Sequence, residues 1–263
     1  MSKESFWRRV LRRLSGGGIV GEISVLRTPY YIPIPAGTYG GYFLDSTRVN
    51  YTLARQLYNN TNDKYKLGAG FAKPIINTTV GFMGVPHFSH DNVEVAWELE
   101  RVASKWAGKF IRINRNTLRD GDCFVRIERR EQKYNGKVDF ELTLIPPEDV
   151  TPIPDPINGG FQKVYIRHHI PIYDVNGNTM GETILTEIIT PDEIEYVIDG
   201  RAPLELQGLS GIQENPWGFI PIVHFKNEAE EYQLFGVSEL EPVEPFLKAY
   251  HDTMLFAVQG AKM

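Results

Sequence analysis

The chain has 263 residues, of which 42% are hydrophobic and 23% charged, so it can bury a core and its composition argues against wholesale disorder. Cys123 is the single cysteine, which excludes an internal disulfide framework, and no stretch approaches the ~18–20 apolar residues that span a bilayer. The formal net charge is −5, but the charge is segregated along the chain, and this favours assembly or a nearby polyanion.

Three segments account for the charge asymmetry. Residues 1–14 contain five Lys or Arg and one acid, and residues 99–137 contain eleven Lys or Arg and five acids. Residues 227–263 reverse the sign, with seven acids against Lys248 and Lys262. Solvated faces on separate elements would give the same totals, so the pattern alone leaves that alternative open.

The N-terminal segment has a basic amphipathic pattern. Apolar residues recur at helical spacing opposite arginines: Phe6, Trp7, Val10, Leu11 and Leu14. A membrane-surface helix and a nucleic-acid-binding helix share this pattern, but we favour an arm that docks on a neighbouring subunit, or a tail. Gly16-Gly17-Gly18 then interrupts the helix, and residues 28–45 are rich in Pro, Gly and Tyr. We predict that residues 1–44 form a basic arm and an extended lead-in.

Helical patterns dominate the next part of the chain. Asp45 or Ser46 can cap a helix that ends at Asn59-Asn60. The apolar run at residues 65–82 is interrupted by glycines and by Pro74, which predicts two short buried segments joined by a bend.

The longest helical pattern precedes a change to strands. Asp91 or Asn92 can cap this helix, which is predicted to extend to about Asn116. Strands are predicted at residues 122–128, 138–145, 162–170, 182–190, 194–198 and 219–225. Asn135-Gly136 and Asn176-Gly177 are turn signals between strands, and Pro221 confines the last strand to a sheet edge or a strand end. The order predicts an α+β fold, with helices packed on antiparallel β-sheet.

A long amphipathic helix is predicted at the end of the sequence. From Pro242 onward, apolar residues recur at steps of three and four: Val243, Phe246, Leu247, Tyr250, Met254, Ala257, Val258 and Ala261. The pattern is still amphipathic at Met263, with no cap or stop signal. We therefore expect the sequence to be part of a longer chain.

Motifs for catalysis or cofactor binding are missing from the sequence. Gly16-Gly17-Gly18 and the segment from Gly68 to Lys73 lack the Lys-Ser or Lys-Thr of a phosphate-binding loop. His87 and His90 have no Cys or acidic set at metal-ligand spacing, and no Gly-x-Ser-x-Gly elbow exists. We predict no catalytic, cofactor or metal site, and a protein that is not an enzyme.

Three stretches of the chain are informative together. The first is YTLARQLYNNT at 51–61 with YKLGAGFAKPIIN at 65–77, the second is GDCFVRI at 121–127 with LIPPEDV at 144–150, and the third is IPIVHFKN at 220–227 with FGVSEL at 235–240. Together they resemble the portal proteins of tailed bacteriophages, in the branch common among phages of Gram-positive hosts. No single stretch is a sharp signature. The resemblance rests on their order and spacing across residues 45–263.

The resemblance implies a domain organisation and a set of partners. Residues 45–237 would be an α+β wing-like domain, and residues 238–263 would begin a stem helix whose partners in the family, the second stem helix, clip and crown, are missing here. Portals form rings, usually dodecamers, at one capsid vertex of the virion, after assembly in the host cytoplasm. Double-stranded DNA passes through the ring without sequence recognition. Terminase, major capsid or scaffold protein and head–tail connector proteins bind it, and no membrane or cofactor is involved.

The resemblance also assigns roles to residues near the last helix. A conduit must not grip DNA, so acidic residues facing the channel would keep it moving; the candidates are Glu239, Glu241, Glu244 and Asp252. An apolar stripe would pack against neighbouring subunits or a second helix of the same chain; its candidates are Val243, Phe246, Leu247, Tyr250, Met254 and Val258. For each acid, a solvated helix face is the alternative.

Other classes of protein share some of these features. A head–tail adaptor or a minor capsid protein would have the same composition but no need for a long tunnel helix after residue 240. A nucleic-acid-binding module could use the basic segment 99–137, although interleaved stacking aromatics are missing there. An uncharacterised hydrolase is the remaining alternative.

Overall fold

The structure is a computed structural model that describes residues 49–131, 138–155, 160–173, 176–199, 211–230 and 233–261, together with two short strands near residue 40. The basic arm predicted within residues 1–44 and the Asn135-Gly136 turn lie outside the described residues, except for those two strands. The described residues belong to one compact unit, Ala36–Met263.

Four α-helices occur in the described part of the chain. They are α1 (Tyr51–Asn59), α2 (Ala72–Met83), α3 (Val93–Asp120) and α4 (Glu244–Gly260). Short 3-10 helices precede α2 at Ala69–Phe71 and follow a strand at Pro147–Asp149. None of these helices is long and apolar enough to cross a membrane.

The early helices differ in two details from the sequence-based predictions. The first helix begins at Tyr51 and not near residue 45, because Asn50 caps it: the Asn50 Oδ1 accepts from the Leu53 N–H at 3.0 Å. The run at residues 65–82 does divide into two segments, but before Pro74: turns and the 3-10 helix Ala69–Phe71 come first, and α2 begins at Ala72. Pro74 is the third residue of a single helix, α2, where its missing N–H removes no helical hydrogen bond.

The long helix α3 is confirmed and ends later than predicted. Asn92 caps it, since its side chain accepts from the Glu94 N–H at 2.9 Å. The helix continues past Asn116 to Asp120 and ends at Gly121, whose φ of 84° is the left-handed conformation that glycine adopts readily.

Ten strands form three antiparallel sheets in the described residues. They are β1 (Thr38–Tyr39), β2 (Tyr42–Phe43), β3 (Asp122–Glu131), β4 (Val138–Ile145), β5 (Val150–Pro154), β6 (Phe161–Tyr173), β7 (Thr179–Ile189), β8 (Glu193–Asp199), β9 (Gly211–Glu214) and β10 (Ile222–Lys226). One sheet has three strands in the order β10-β3-β4, another has five in the order β5-β6-β7-β8-β9, and β1 pairs with β2. The strand predicted at residues 219–225 is present but begins later, as β10 (Ile222–Lys226). It lies at a sheet edge with Pro221 just before it, as one of the two positions predicted from Pro221.

Three apolar clusters define the layers. One joins α3 to the three-stranded sheet, and its buried members are Trp106, Ile113, Cys123, Val125 and Leu142. The opposite face of that sheet packs on the five-stranded sheet through Phe124, Val150, Val164, Ile166, Ile189, Ile194 and Ile222. The four helices meet in a third cluster, formed by Leu57, Tyr58, Tyr65, Ala69, Ala72, Ile76, Val80, Leu118, Leu240 and Leu247. The predicted α+β class is therefore confirmed.

Candidate functional site

The first two turns of α4 are held by the short segment that leads into α2. The Tyr65 hydroxyl donates a hydrogen bond to Glu244, and this bond is the main reason that the pKa of Tyr65 lies above its ordinary value. Two turns further along α4, the Nδ1 of His251 accepts from the Leu67 N–H at 3.1 Å. We call Tyr65–Phe71 the helix cradle, because its contacts fix where α4 begins.

The helix cradle lies so close to α4 that a side chain would not fit between them. A Cβ atom placed on Gly68 would lie 2.0 Å from the carbonyl oxygen of Leu247, which real contacts do not reach. Leu247 itself is buried in the helical cluster, and the Phe71 and Tyr250 rings meet edge-to-face at 5.4 Å.

The segment before α4 is fastened by a buried carboxylate at the start of β3. Asp122 is fully buried, and its Oδ1 accepts from the Gly236 N–H at 2.9 Å and from His224 Nε2 at 2.8 Å. Its Oδ2 accepts from the Tyr51 hydroxyl at 2.9 Å. One side chain therefore joins α1, β3, β10 and the lead-in to α4.

Two glycines allow this lead-in to cross the end of α3. A Cβ on Gly236 would lie 2.2 Å from the Gly121 carbonyl oxygen, and a Cβ on Gly121 would lie 2.9 Å from the carbonyl carbon of Val237. The Glu239 N–H then donates to the Leu118 carbonyl at 2.9 Å, and the Ser238 hydroxyl donates to that of Arg119. Hydrogen bonds to the last backbone carbonyls of α3 therefore hold the lead-in where it crosses the end of that helix.

Cationic and aromatic groups surround Asp122. The His224 ring stacks on Phe124, with centroids 4.0 Å apart. Lys226 lies opposite Asp122 in the β10–β3 register and donates to the Gln233 carbonyl at 2.7 Å. Burial lowers the pKa of Lys226, and the negative charge of Asp122 opposes that effect. The arrangement compensates a buried carboxylate.

The four acidic residues predicted to face a channel have different environments. Glu239 accepts from the Asn227 amide at 3.1 Å, and Glu244 accepts from Tyr65, so both contact their own chain. Asp252 forms an i,i+4 ion pair with Lys248 at 3.3 Å. Glu241 is exposed in the turn before α4. The four carboxylates therefore do not form one cluster.

The predicted apolar stripe divides into two parts. Leu247 is buried in the helical cluster and Val243 packs against it. The other members are exposed, namely Phe246, Tyr250, Met254 and Val258. From residue 253 to residue 261 every residue is exposed, so the second half of α4 presents its apolar side chains to solvent.

Two ion-pair networks join residues whose contact is not evident from the sequence. Arg55 donates to both oxygens of Glu148 at 2.5 and 2.8 Å and also contacts buried Asp120, which the neighbouring Arg119 binds as well, at 2.6 Å. Burial opposes ionisation of Glu148, but its hydrogen bonds from Arg55 lower its pKa below the ordinary value. Patterns among neighbouring residues give no signal for such a contact, since 93 residues separate Arg55 from Glu148.

The second network joins the two larger sheets. Buried Glu187 on β7 accepts from Arg126 on β3 at 2.6 Å, and it also contacts His168 and Tyr196. Burial raises the pKa of Tyr196. The one signal in the sequence was an acid beside the apolar residues Leu185, Ile188 and Ile189 of β7, and it does not identify a partner.

The described residues hold no group of three or more His, Cys, Asp or Glu that could bind a metal ion. Burial raises the pKa of the Cys123 thiol to about 12, so this cysteine is a packed apolar side chain rather than a nucleophile at neutral pH. No protein-family model matches the chain, and no curated protein matches it significantly. The site is therefore a set of buried contacts that hold the start of α4, while the end of this helix is exposed.

Proposed function

We propose that this protein is a subunit of a tailed-bacteriophage portal, a ring at one capsid vertex through which DNA is packaged and ejected. The observation that carries the proposal is the Asp122 junction. Tyr51, Asp122, His224 and Gly236 come from the three stretches that resemble portal proteins, and they meet at one carboxylate. Stretches that are far apart along the chain therefore form a single structural unit.

The way α4 is packed at its start and exposed at its end supports the same function. A stem helix must be held firmly at its base and present apolar side chains to other helices beyond it. The helix cradle and the Asp122 junction hold the base of α4, while residues 253–261 are exposed. A helix of this kind is stable when a neighbour covers its apolar face.

The proposal assigns different roles to the four acids near α4. Glu239 and Glu244 position the helix through Asn227 and Tyr65. Glu241 and Asp252 are the better candidates for residues that repel DNA, because they are bound less tightly to the body of the protein. A surface of this sign does not neutralise phosphates and so does not retain DNA.

The partners follow from the same proposal. The ring, usually a dodecamer in the family that the chain resembles, would bind terminase, major capsid or scaffold protein, and head–tail connector proteins in the virion. It would pass double-stranded DNA without sequence specificity.

Native mass spectrometry over a range of protein concentrations, followed by electron microscopy, tests the proposal. We expect closed rings with a central opening. We expect Met254→Glu with Val258→Glu to reduce ring formation, because both residues lie on the exposed stripe, while Gln259→Glu is the matched control on the same turn. A chain that is monomeric at every concentration would contradict the proposal and favour a head–tail adaptor.

A further inference from the structure

One exposed surface of the helical layer is apolar and basic. Leu67, Phe71 and Ile75 lie exposed on the helix cradle and α2, and more than half of the Phe71 side chain is accessible, at 53%. Residues 64–83 contain three lysines and no acid: Lys64, Lys66 and Lys73. All three are exposed, and the pairing of Lys66 with exposed Asp63 at 3.7 Å is weak. We call this surface the basic face.

A second exposed surface is apolar and acidic. At the start of α3, Val93 and Trp97 are one helical turn apart and are 68% and 77% exposed. Residues 84–100 contain four acids and no Lys or Arg: Asp91, Glu94, Glu98 and Glu100. Arg101, the next residue, forms an ion pair with Glu98 at 2.5 Å, so the negative charge of this surface rests on Asp91, Glu94 and Glu100. Glu94 and Glu100 lie three residues before and after Trp97, on the same side of the helix. We call this surface the acidic face.

The two faces lie at opposite ends of α3. Leu118, near the end of α3, packs in the same cluster as Ala69 and Ala72, which are buried in the segments that carry the basic face. Trp97 is 21 residues earlier on the same helix, which corresponds to about 30 Å at 1.5 Å per residue. One chain therefore cannot bring its own two faces together.

We infer that the acidic face of one copy binds the basic face of the next copy. This inference rests on the proposed ring, and it names the surfaces that close it. Two different complementary surfaces on one chain give a head-to-tail contact, which generates a ring when the rotation closes. A two-fold symmetric dimer could pair the same two faces reciprocally, so the particle mass decides: a dimer in place of a ring would overturn the inference. Large exposed apolar side chains rimmed by charge are typical of protein contacts.

Charge reversal tests the pairing. The basic-face variant carries Lys64→Glu and Lys66→Glu, and the acidic-face variant carries Glu94→Lys and Glu100→Lys. We expect each variant alone to lower the fraction of rings in native mass spectra by at least about tenfold. A mixture of the two variants should restore rings of alternating copies, because each contact then joins opposite charges again. The chain that carries all four changes should also form rings.

Matched measurements separate the possible failures. Asp192→Lys with Glu193→Lys makes the same charge change as the acidic-face variant, on exposed residues at the start of β8, and it should leave the rings unchanged. Far-UV circular dichroism confirms that each variant is folded. If both charge-reversal variants form rings as readily as the wild type, the inference is overturned while the proposed function stands. A wild-type chain that never forms rings would overturn both.

Discussion

The Oδ1 of Asp122 and the backbone N–H of Gly236 lie 2.9 Å apart, although 114 residues separate them in the sequence. Asp122 directly follows Gly121, at the end of α3, and Gly236 begins the segment that leads into α4. Because both groups are buried, removing one leaves the other without a hydrogen-bond partner from water. The contact therefore fixes the start of the projecting helix relative to the sheet below it.

We expect Asp122→Ala to destabilise the protein by about 3–5 kcal/mol. The change leaves the Tyr51 hydroxyl, the His224 ring and the Gly236 N–H without their acceptor. Urea unfolding followed by circular dichroism measures the effect. Asp63→Ala removes an exposed carboxylate and should change the free energy of unfolding by less than about 0.5 kcal/mol. Equal effects of the two changes would contradict a structural role for Asp122.

Gly68→Ala should loosen α4 and destabilise the protein by about 1–3 kcal/mol, because its Cβ would overlap the carbonyl oxygen of Leu247. Hydrogen exchange should become faster in the first half of α4, where the helix cradle makes its contacts. Gly70→Ala is the matched control, since nothing lies within 4 Å of its added Cβ. If both variants exchange alike in α4, the close approach at Gly68 does not hold the helix.

Local patterns predicted much of the fold, and two cases show why. Alternation of apolar and polar residues predicted β6, β7 and β8, and Asn176-Gly177 predicted the turn between β6 and β7. Both features depend only on residues adjacent in the sequence. The start of α1 was wrong because Asp45, Ser46 and Asn50 are equally good caps. Only the position of the helix on the core selects Asn50.

The site depended on contacts that no local pattern encodes. Tyr65 and Glu244 are 179 residues apart, and their hydrogen bond turns a predicted channel acid into a group that positions α4. Periodicity placed Leu247 and Phe246 in one stripe, but the helix cradle buries the first and leaves the second exposed. Which side of an amphipathic helix is covered depends on the element packed against it.

The Cys123 thiol should not react with thiol reagents in the folded protein. It is 2% exposed, and burial raises its pKa to about 12, whereas an unperturbed cysteine ionises near pH 8.5. Because the thiolate is the reactive form, we expect labelling at pH 8 to be at least roughly a thousandfold slower in the native chain than in urea. Labelling by iodoacetamide, followed by mass spectrometry, checks this; equal rates would show that β3 is accessible.

The Arg126–Glu187 pair should make stability depend on acid pH. Burial alone would raise the pKa of Glu187, but its hydrogen bonds from His168 and Arg126 outweigh burial and hold the pKa below the ordinary value. A carboxyl group with a lower pKa in the folded than in the unfolded chain stabilises the fold above the unfolded pKa, about 4.3 for Glu. That stability is lost as the pH falls through the folded value.

Glu187→Gln tests this dependence. At neutral pH we expect the variant to be less stable than the wild type by about 3–5 kcal/mol, because the Arg126 charge loses its buried partner. Below about pH 4 the difference should shrink, since the wild-type carboxylate is then protonated as well. Exposed Glu193→Gln is the control and should leave the pH profile of the wild type unchanged. A constant difference across the acid range, measured by urea unfolding at each pH, would show that ionisation of Glu187 does not hold the two sheets together.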